Sequence, residues 1–201
     1  MDAREETVQL YDKWANQNFT DWFNNDALLP SLTDFVSYLP IKPKVLDLGC
    51  GTGGESKRVI SLGADVIGID LSTESIKYAK ANVGNGTFYV MNILEMTFEN
   101  ACFDGVFEAG VLFHFTENEQ IEILNKLKLI LKNKGMFLSF YPEGNYEGME
   151  EFKINGEVFR RYARKISKEI WIKTVEGTGF TFIKEMYLNI GTFRPLLFTS
   201  I

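Results

Sequence analysis

The 201-residue sequence predicts an α/β fold, a doubly wound, mostly parallel sheet of seven strands with a helical cap in front and an antiparallel hairpin at the end. Three observations lead there. First, the apolar run Val45-Leu46-Asp47-Leu48 stops in a burst of glycines, Gly49, Gly51, Gly53 and Gly54, and reopens as a helix-compatible stretch over residues 55–62. Strand, tight turn and helix start in that order bring backbone close to a nucleotide-like ligand, because glycine has no Cβ and the helix start offers unpaired N–H groups. Second, short apolar runs at 66–69, 87–91, 103–108 and 136–141 alternate with segments of helical period, the pattern of a parallel sheet covered on both faces. Third, residues 180–190 and 192–200 read as two strands meeting at Gly191.

The chain is long enough to bury a substantial core and most simply forms one domain over 1–201. Its parts read as a cap segment at 1–43, a ligand-binding core at 44–141, an insertion at 142–166 and a closing helix and hairpin at 167–201. A net charge of -6 argues against a nucleic-acid surface built on bulk electrostatics. Cys50 and Cys102 have no metal-ligand spacing and His114 is the single histidine, so no metal site is expected. Neither a leader-type start nor a membrane-length apolar run is present, and the expectation is a cytoplasmic protein, monomeric or weakly dimeric, that does not bind membranes.

The elements follow in order. In 4–24, Leu10 and Tyr11 recur helically with Trp14 and Ala15, and Phe19, Trp22 and Phe23 follow; 28–39 is a second helix with Pro30 in its first turn. Gly63 stops the first helix of the core, and Ser72 caps the next, over 73–82. Thr116 with Glu119 three residues on is a capping box, followed by Ile121, Leu124, Leu127 and Leu131 as the inward stripe. Asn133-Lys134-Gly135 is a turn. The insertion has no clear period: it is acidic through Glu143, Glu147, Glu150 and Glu151, then basic through Lys153, Arg160, Arg161, Arg164 and Lys165. Ser167 caps a last helix, to Val175.

The glycine loop satisfies two patterns. Gly49-x-Gly51-x-x-Gly54 is a dinucleotide fingerprint, but Asp47 two residues earlier would face a pyrophosphate with like charge. A carboxylate there suits a ligand carrying an ammonium and a sulfonium. With Val45-Leu46-Asp47-Leu48-Gly49-Cys50-Gly51-Thr52-Gly53, the chain resembles the class I S-adenosylmethionine-dependent methyltransferases, Rossmann-like proteins whose sheet ends in an antiparallel pair. The resemblance covers 45–141 and implies S-adenosylmethionine as cofactor and S-adenosylhomocysteine as product. It implies that Asp47, Gly49, Cys50 and Gly51 line the cofactor and that Leu71 packs on its adenine. The spacing of about twenty residues from loop to Asp70 independently suits an acid bonding a ribose. Where the family places an acid after the third strand this sequence has Asn92, whose amide oxygen can accept from the adenine amine while a backbone N–H near Ile93 donates to the ring.

Glu108 ends the fourth strand, where strand exits line the crevice, and holds the methionine ammonium or contacts substrate, the alternative being that it is merely solvated. This exit lacks the Asn-Pro-Pro-aromatic tetrapeptide that the family uses on nucleobase amines and glutamine amides, and the acceptor expected is a small molecule with an oxygen or nitrogen nucleophile. His114, with an ordinary pKa near neutrality, is the candidate base; the alternative is a histidine packed between Phe113 and Phe115. Tyr11, Tyr146, Arg160 and Arg161 are the candidates on the acceptor side, the arginines for a carboxylate or phosphate, against the alternative of core or solvated positions. A non-catalytic cofactor-binding module and an NAD-dependent oxidoreductase are the other readings.

Overall fold

The computed structural model describes residues 3–17, 23–154, 156–188 and 191–201. Its centre is a seven-stranded sheet of order β3-β2-β1-β4-β5-β9-β8, built from β1 (Lys44–Leu48), β2 (Asp65–Asp70), β3 (Gly86–Val90), β4 (Phe103–Glu108), β5 (Leu131–Pro142), β8 (Phe180–Glu185) and β9 (Phe193–Ser200). The first five strands are parallel. The last strand, β9, runs antiparallel between β5 and β8. The order reverses between β1 and β4, and the exits of those two strands therefore border the crevice where ligands of doubly wound sheets bind.

Alternation of side chains along the central strands feeds two cores. Leu46, Leu48, Val106 and Phe137 point to one face, under helices α5 (Glu117–Ile130) and α6 (Lys168–Glu176). Val45, Phe107 and Leu138 point to the other, with Leu32 and Phe35 of α2 (Leu29–Ser37) and Val59 of α3 (Gly54–Ser61). Both faces are apolar, as parallel strands covered on both sides require.

The caps form as the residues dictate. Ser72 accepts the Ser75 N–H ahead of α4 (Thr73–Asn82), Ser167 caps α6, and Thr116 with Glu119 closes the capping box of α5. The inward stripe of α5 is Ile123, Leu124, Leu127 and Ile130, all buried. Ile121, expected inward, stands 37% exposed, because the buried stripe is centred about a third of a turn away from it round the helix axis. The turn expected at 133–135 is absorbed into a long β5, whose register against β4 shifts between Phe103 and Gly105 while Lys134 takes a positive φ. The strand expected over 180–190 is shorter and ends at Glu185; Phe19, Trp22 and Ile190 lie outside the described residues.

The largest departure is the insertion. Far from irregular, 146–165 is a two-stranded antiparallel hairpin, β6 (Tyr146–Ile154) with β7 (Glu157–Lys165). Its register sets Glu147 opposite Arg164, Glu150 opposite Arg161 and Glu151 opposite Arg160, so the acidic and basic runs are cross-strand partners. Helix α1 (Ala3–Gln17) docks against it: the Lys13 ammonium pairs with Glu157 and lies 5.1 Å from the Phe159 ring centre. On its other side Asp12 accepts the Ser72 hydroxyl at 2.5 Å. The helix thus bridges β7 and the start of α4.

Candidate cofactor and acceptor site

The glycine loop opens on β1. Gly49, Gly51 and Gly53 have φ of 73°, 50° and 82°, a region that side chains disfavour. At Gly49 a Cβ would also stand 2.6 Å from Val111. Glycine is therefore required there twice, by torsion and by the close approach of the turn that leaves β4. The loop is pinned to β2: the Gly49 and Cys50 N–H groups both donate to the Ile69 carbonyl at 2.9 Å.

Asp47 is 1% exposed, and its carboxylate accepts the Ser56 hydroxyl at 2.6 Å from the first turn of α3. Burial drives its pKa well above the carboxylate range, against the pull of Ser56 and reinforced by the charges of Glu55, Asp70 and Glu108. Asp70, at the end of β2, accepts the Gly51 N–H at 2.9 Å through one oxygen and the Ser72 N–H at 2.8 Å through the other. Burial raises its pKa as well. Each of its oxygens keeps a second lone pair. Among the described residues neither acid is hydrogen-bonded to a cationic side chain, and carboxylates so placed suit hydroxyls and positive charge, not a diphosphate.

Leu71 is half-buried beside this loop and Ile93 is buried. Asn92 is half-buried too, its oxygen accepting the Leu94 N–H at 3.1 Å and its amide donating to Glu95. Glu108 lies elsewhere than expected. With the parity of Val106, its side chain turns into the α5–α6 face, is 1% exposed, and accepts hydrogen bonds from Ser139 and from three successive backbone N–H groups, Gly110, Val111 and Leu112. It is neither solvated nor aimed into the crevice.

His114 ends a single 3-10 turn, Leu112–His114, directly after that loop. Its Nδ1 lies 2.8 Å from the Tyr162 carbonyl, which can only accept, so Nδ1 carries the proton and Nε2 presents a lone pair. Tyr11 OH lies 2.8 Å from that Nε2 and accepts from Arg161 Nη1 at 3.1 Å. The Arg161 guanidinium is stacked 5.0 Å above the Phe113 ring and paired with Glu150. Helix α1, the turn after β4 and strand β7 thus meet at one phenol. Burial, opposed by the Tyr162 carbonyl and aided by Arg161, lowers the His114 pKa to about 3. The expectation of a histidine titrating near neutrality is corrected accordingly: the ring is a neutral acceptor. In the unfolded chain the ring binds its proton near pH 6.5, so between there and about pH 3 the unfolded state holds the extra proton and His114 withdraws stability as the solution is acidified. As the only histidine, it gives one ring signal, and NMR is expected to show that signal unmoved from about pH 8 down to about pH 5.

Of the residues expected on the acceptor side, Tyr11 and Arg161 join His114. Arg160, the next residue on a strand, faces the other side of the hairpin, half-exposed and paired with Glu151. Tyr146 sits at the hairpin base, 41% exposed, its hydroxyl donating to the Met149 carbonyl. Sequence reasoning missed Asp12, Ser56 and Ser139, whose contacts are tertiary, and the hairpin itself, for which Asn155-Gly156 between alternating strands was a readable signal.

A glycine loop on the first strand, acids at the ends of β1 and β2, and an antiparallel last strand define the class of protein. A family model described as a methyltransferase domain matches residues 45–135, and the fold is that of the class I S-adenosylmethionine-dependent methyltransferases. S-adenosylmethionine is the cofactor of that family. An uncharacterized methyltransferase of Anoxybacillus flavithermus is 28% identical over 205 residues, 95% of this chain and 93% of that one. The tRNA U34 carboxymethyltransferase of a Geobacter species is 32% identical over 178 residues, 73% of this chain and 53% of the relative. The chain spans about half the length of several curated relatives it matches, 42%, 48% and 53% of three of them. Among solved structures, the 1,6-didemethyltoxoflavin-N1-methyltransferase of Burkholderia thailandensis, with S-adenosylhomocysteine bound, superposes with a TM-score of 0.75 at 17% identity over 98% of this chain and 87% of that one. No helix among the described residues is long and apolar enough to cross a membrane.

Proposed function

We propose that this chain transfers a methyl group from S-adenosylmethionine to an oxygen or nitrogen of a small-molecule acceptor, with the acceptor atom presented to the Tyr11–His114 pair. The meeting of Tyr11, His114 and Arg161 beside the loop carries this reading. Bound S-adenosylmethionine supplies a methyl group already activated on a sulfonium and leaves as S-adenosylhomocysteine. The chain's own task is then positioning and proton management.

Asp70 would hold the ribose hydroxyls, Leu71 and Ile93 the adenine, with Asn92 at its edge, while Asp47 and the loop residues Gly49, Cys50 and Gly51 line the amino-acid end. Tyr11 orients the acceptor through its hydroxyl. The neutral His114 Nε2, whose lone pair the Tyr162 carbonyl keeps aimed, holds the Tyr11 proton, so that the phenol oxygen turns a lone pair to the acceptor's O–H or N–H, and the acceptor's proton departs to water once the methyl group has been received. Arg161 donates to the same phenol oxygen and so helps to fix which way its remaining lone pair points. The acidic surface and the closure of α1 and the hairpin over the strand ends favour a compact acceptor over a nucleic acid.

Calorimetry separates this from the oxidoreductase reading: S-adenosylmethionine is expected to bind in the micromolar range and NAD not at all, and the reverse overturns it. Release of S-adenosylhomocysteine, screened across small hydroxyl, carboxyl and amine acceptors and, in parallel, bulk tRNA, identifies the acceptor. Turnover confined to the tRNA arm would replace the small-molecule assignment. Tight cofactor binding with no turnover on any acceptor would favour a non-catalytic binding module.

A further inference from the structure

Glu108 has no ordinary reason to be charged where it is. It is 1% exposed, among a core of Leu, Phe and Trp, and none of its hydrogen-bond partners is a cation. An uncompensated buried carboxylate is costly unless its hydrogen bonds are near complete. Here they are. One oxygen receives the Gly110 and Val111 N–H groups at 2.9 Å each and that of Leu112 at 3.4 Å. The other receives the Ser139 hydroxyl at 2.6 Å, and Ser139 in turn accepts from Trp171 Nε1 at 3.1 Å.

Three successive N–H groups turned onto one oxygen form a backbone nest. Its shape needs a positive φ, and Gly110 has one, 85°. The turn so gathered has two working ends. Val111 leans on Gly49 of the glycine loop, and the Val111 carbonyl accepts the His114 N–H at 3.0 Å. From the far side Gln120, fully buried, donates to the Leu112 carbonyl at 2.9 Å and accepts from Arg164 Nη1 at 2.9 Å, linking the same turn to strand β7.

We propose that Glu108 is a positioning residue: its two oxygens clamp the 110–112 turn so that His114 stands under Tyr11 and Val111 stands against the glycine loop. This goes beyond the function proposed above and rests on it for the role of His114. It also replaces the ammonium-holding role expected for Glu108 from its place at a strand exit. What the clamp needs is reach and acceptor capacity, not charge toward a ligand.

Two substitutions separate reach from charge. Glu108→Gln keeps the length: the amide oxygen still takes the three N–H groups, and its NH2 donates to Ser139 Oγ, which has lone pairs for it and for Trp171. Glu108→Asp keeps the charge but is shorter by one methylene and cannot span both Ser139 and the nest. The expected results are that Glu108→Gln keeps kcat and the Kd for S-adenosylmethionine within about threefold of the parent. Glu108→Asp is expected to lower kcat about tenfold or more with Kd within about threefold.

The ring signal of His114 gives a readout that needs no turnover. In 15N-histidine-labelled protein it is expected to remain a single Nδ1–H tautomer in Glu108→Gln and to broaden or divide in Glu108→Asp. A tenfold rise in cofactor Kd in Glu108→Gln but not in Glu108→Asp would overturn the proposal in favour of an ammonium contact. So would parent-like kinetics and ring signals in both. Failure of the parent protein to bind S-adenosylmethionine would instead strike the function itself, leaving the histidine signals to judge the clamp.

Discussion

Asp70→Ala is expected to weaken S-adenosylmethionine binding about 100-fold, equivalent to about 2.7 kcal/mol, with the fold retained. Two ribose hydroxyls donating to one carboxylate are charge-assisted hydrogen bonds, worth about 1.5–3 kcal/mol each when intact. Part of the loss is offset because the free carboxylate already serves the Gly51 and Ser72 N–H groups. Those two bonds also mean that the substitution loosens the glycine loop from β2. Asp70→Asn separates the contributions: it retains one acceptor oxygen for the backbone and is expected to give an intermediate loss. Calorimetric titration of both variants against the parent, with thermal melts as a control on folding, measures the effect. Affinity unchanged in Asp70→Ala would place the ribose elsewhere.

Tyr11→Phe is expected to lower kcat about 100-fold while moving the cofactor Kd by no more than about threefold. The ring stays, so its edge contact with the His114 imidazole, 5.5 Å between centres, survives and only the hydroxyl is lost. His114→Ala is expected to match it. Because the phenol and the imidazole act as one unit, the double variant is expected to be no worse than either single one. Steady-state rates with a working acceptor, alongside cofactor calorimetry, test this. Full turnover in Tyr11→Phe would reduce the contact to a latch holding α1 on the body of the protein.

How far the sequence alone leads is visible residue by residue. The glycine turn after β1 and the capping box of Thr116 and Glu119 were legible because each is a local device whose spacing carries its own reason. The antiparallel pair β8–β9 was legible from two apolar runs and a glycine, and only its boundaries shifted. The hairpin over 146–165 was harder, since its charges read as two separate runs until register sets them face to face. Glu108 illustrates the limit: strand parity, not strand position, decides where its carboxylate goes, and its role is defined by Ser139, Trp171 and the turn it gathers. The link between Tyr11 and His114 spans 103 positions, and no period or motif connects residues that far apart.

That separation has a practical side. The hydroxyl proposed to meet the acceptor is carried by α1, held to the rest by Asp12 on one flank and Lys13 on the other. Chemistry and docking are thus vested in three adjacent residues, so a protease cut or a bulky purification tag at this end would silence turnover while leaving the nucleoside cradle whole. Cofactor binding without turnover therefore speaks against catalysis only in a preparation whose α1 is intact.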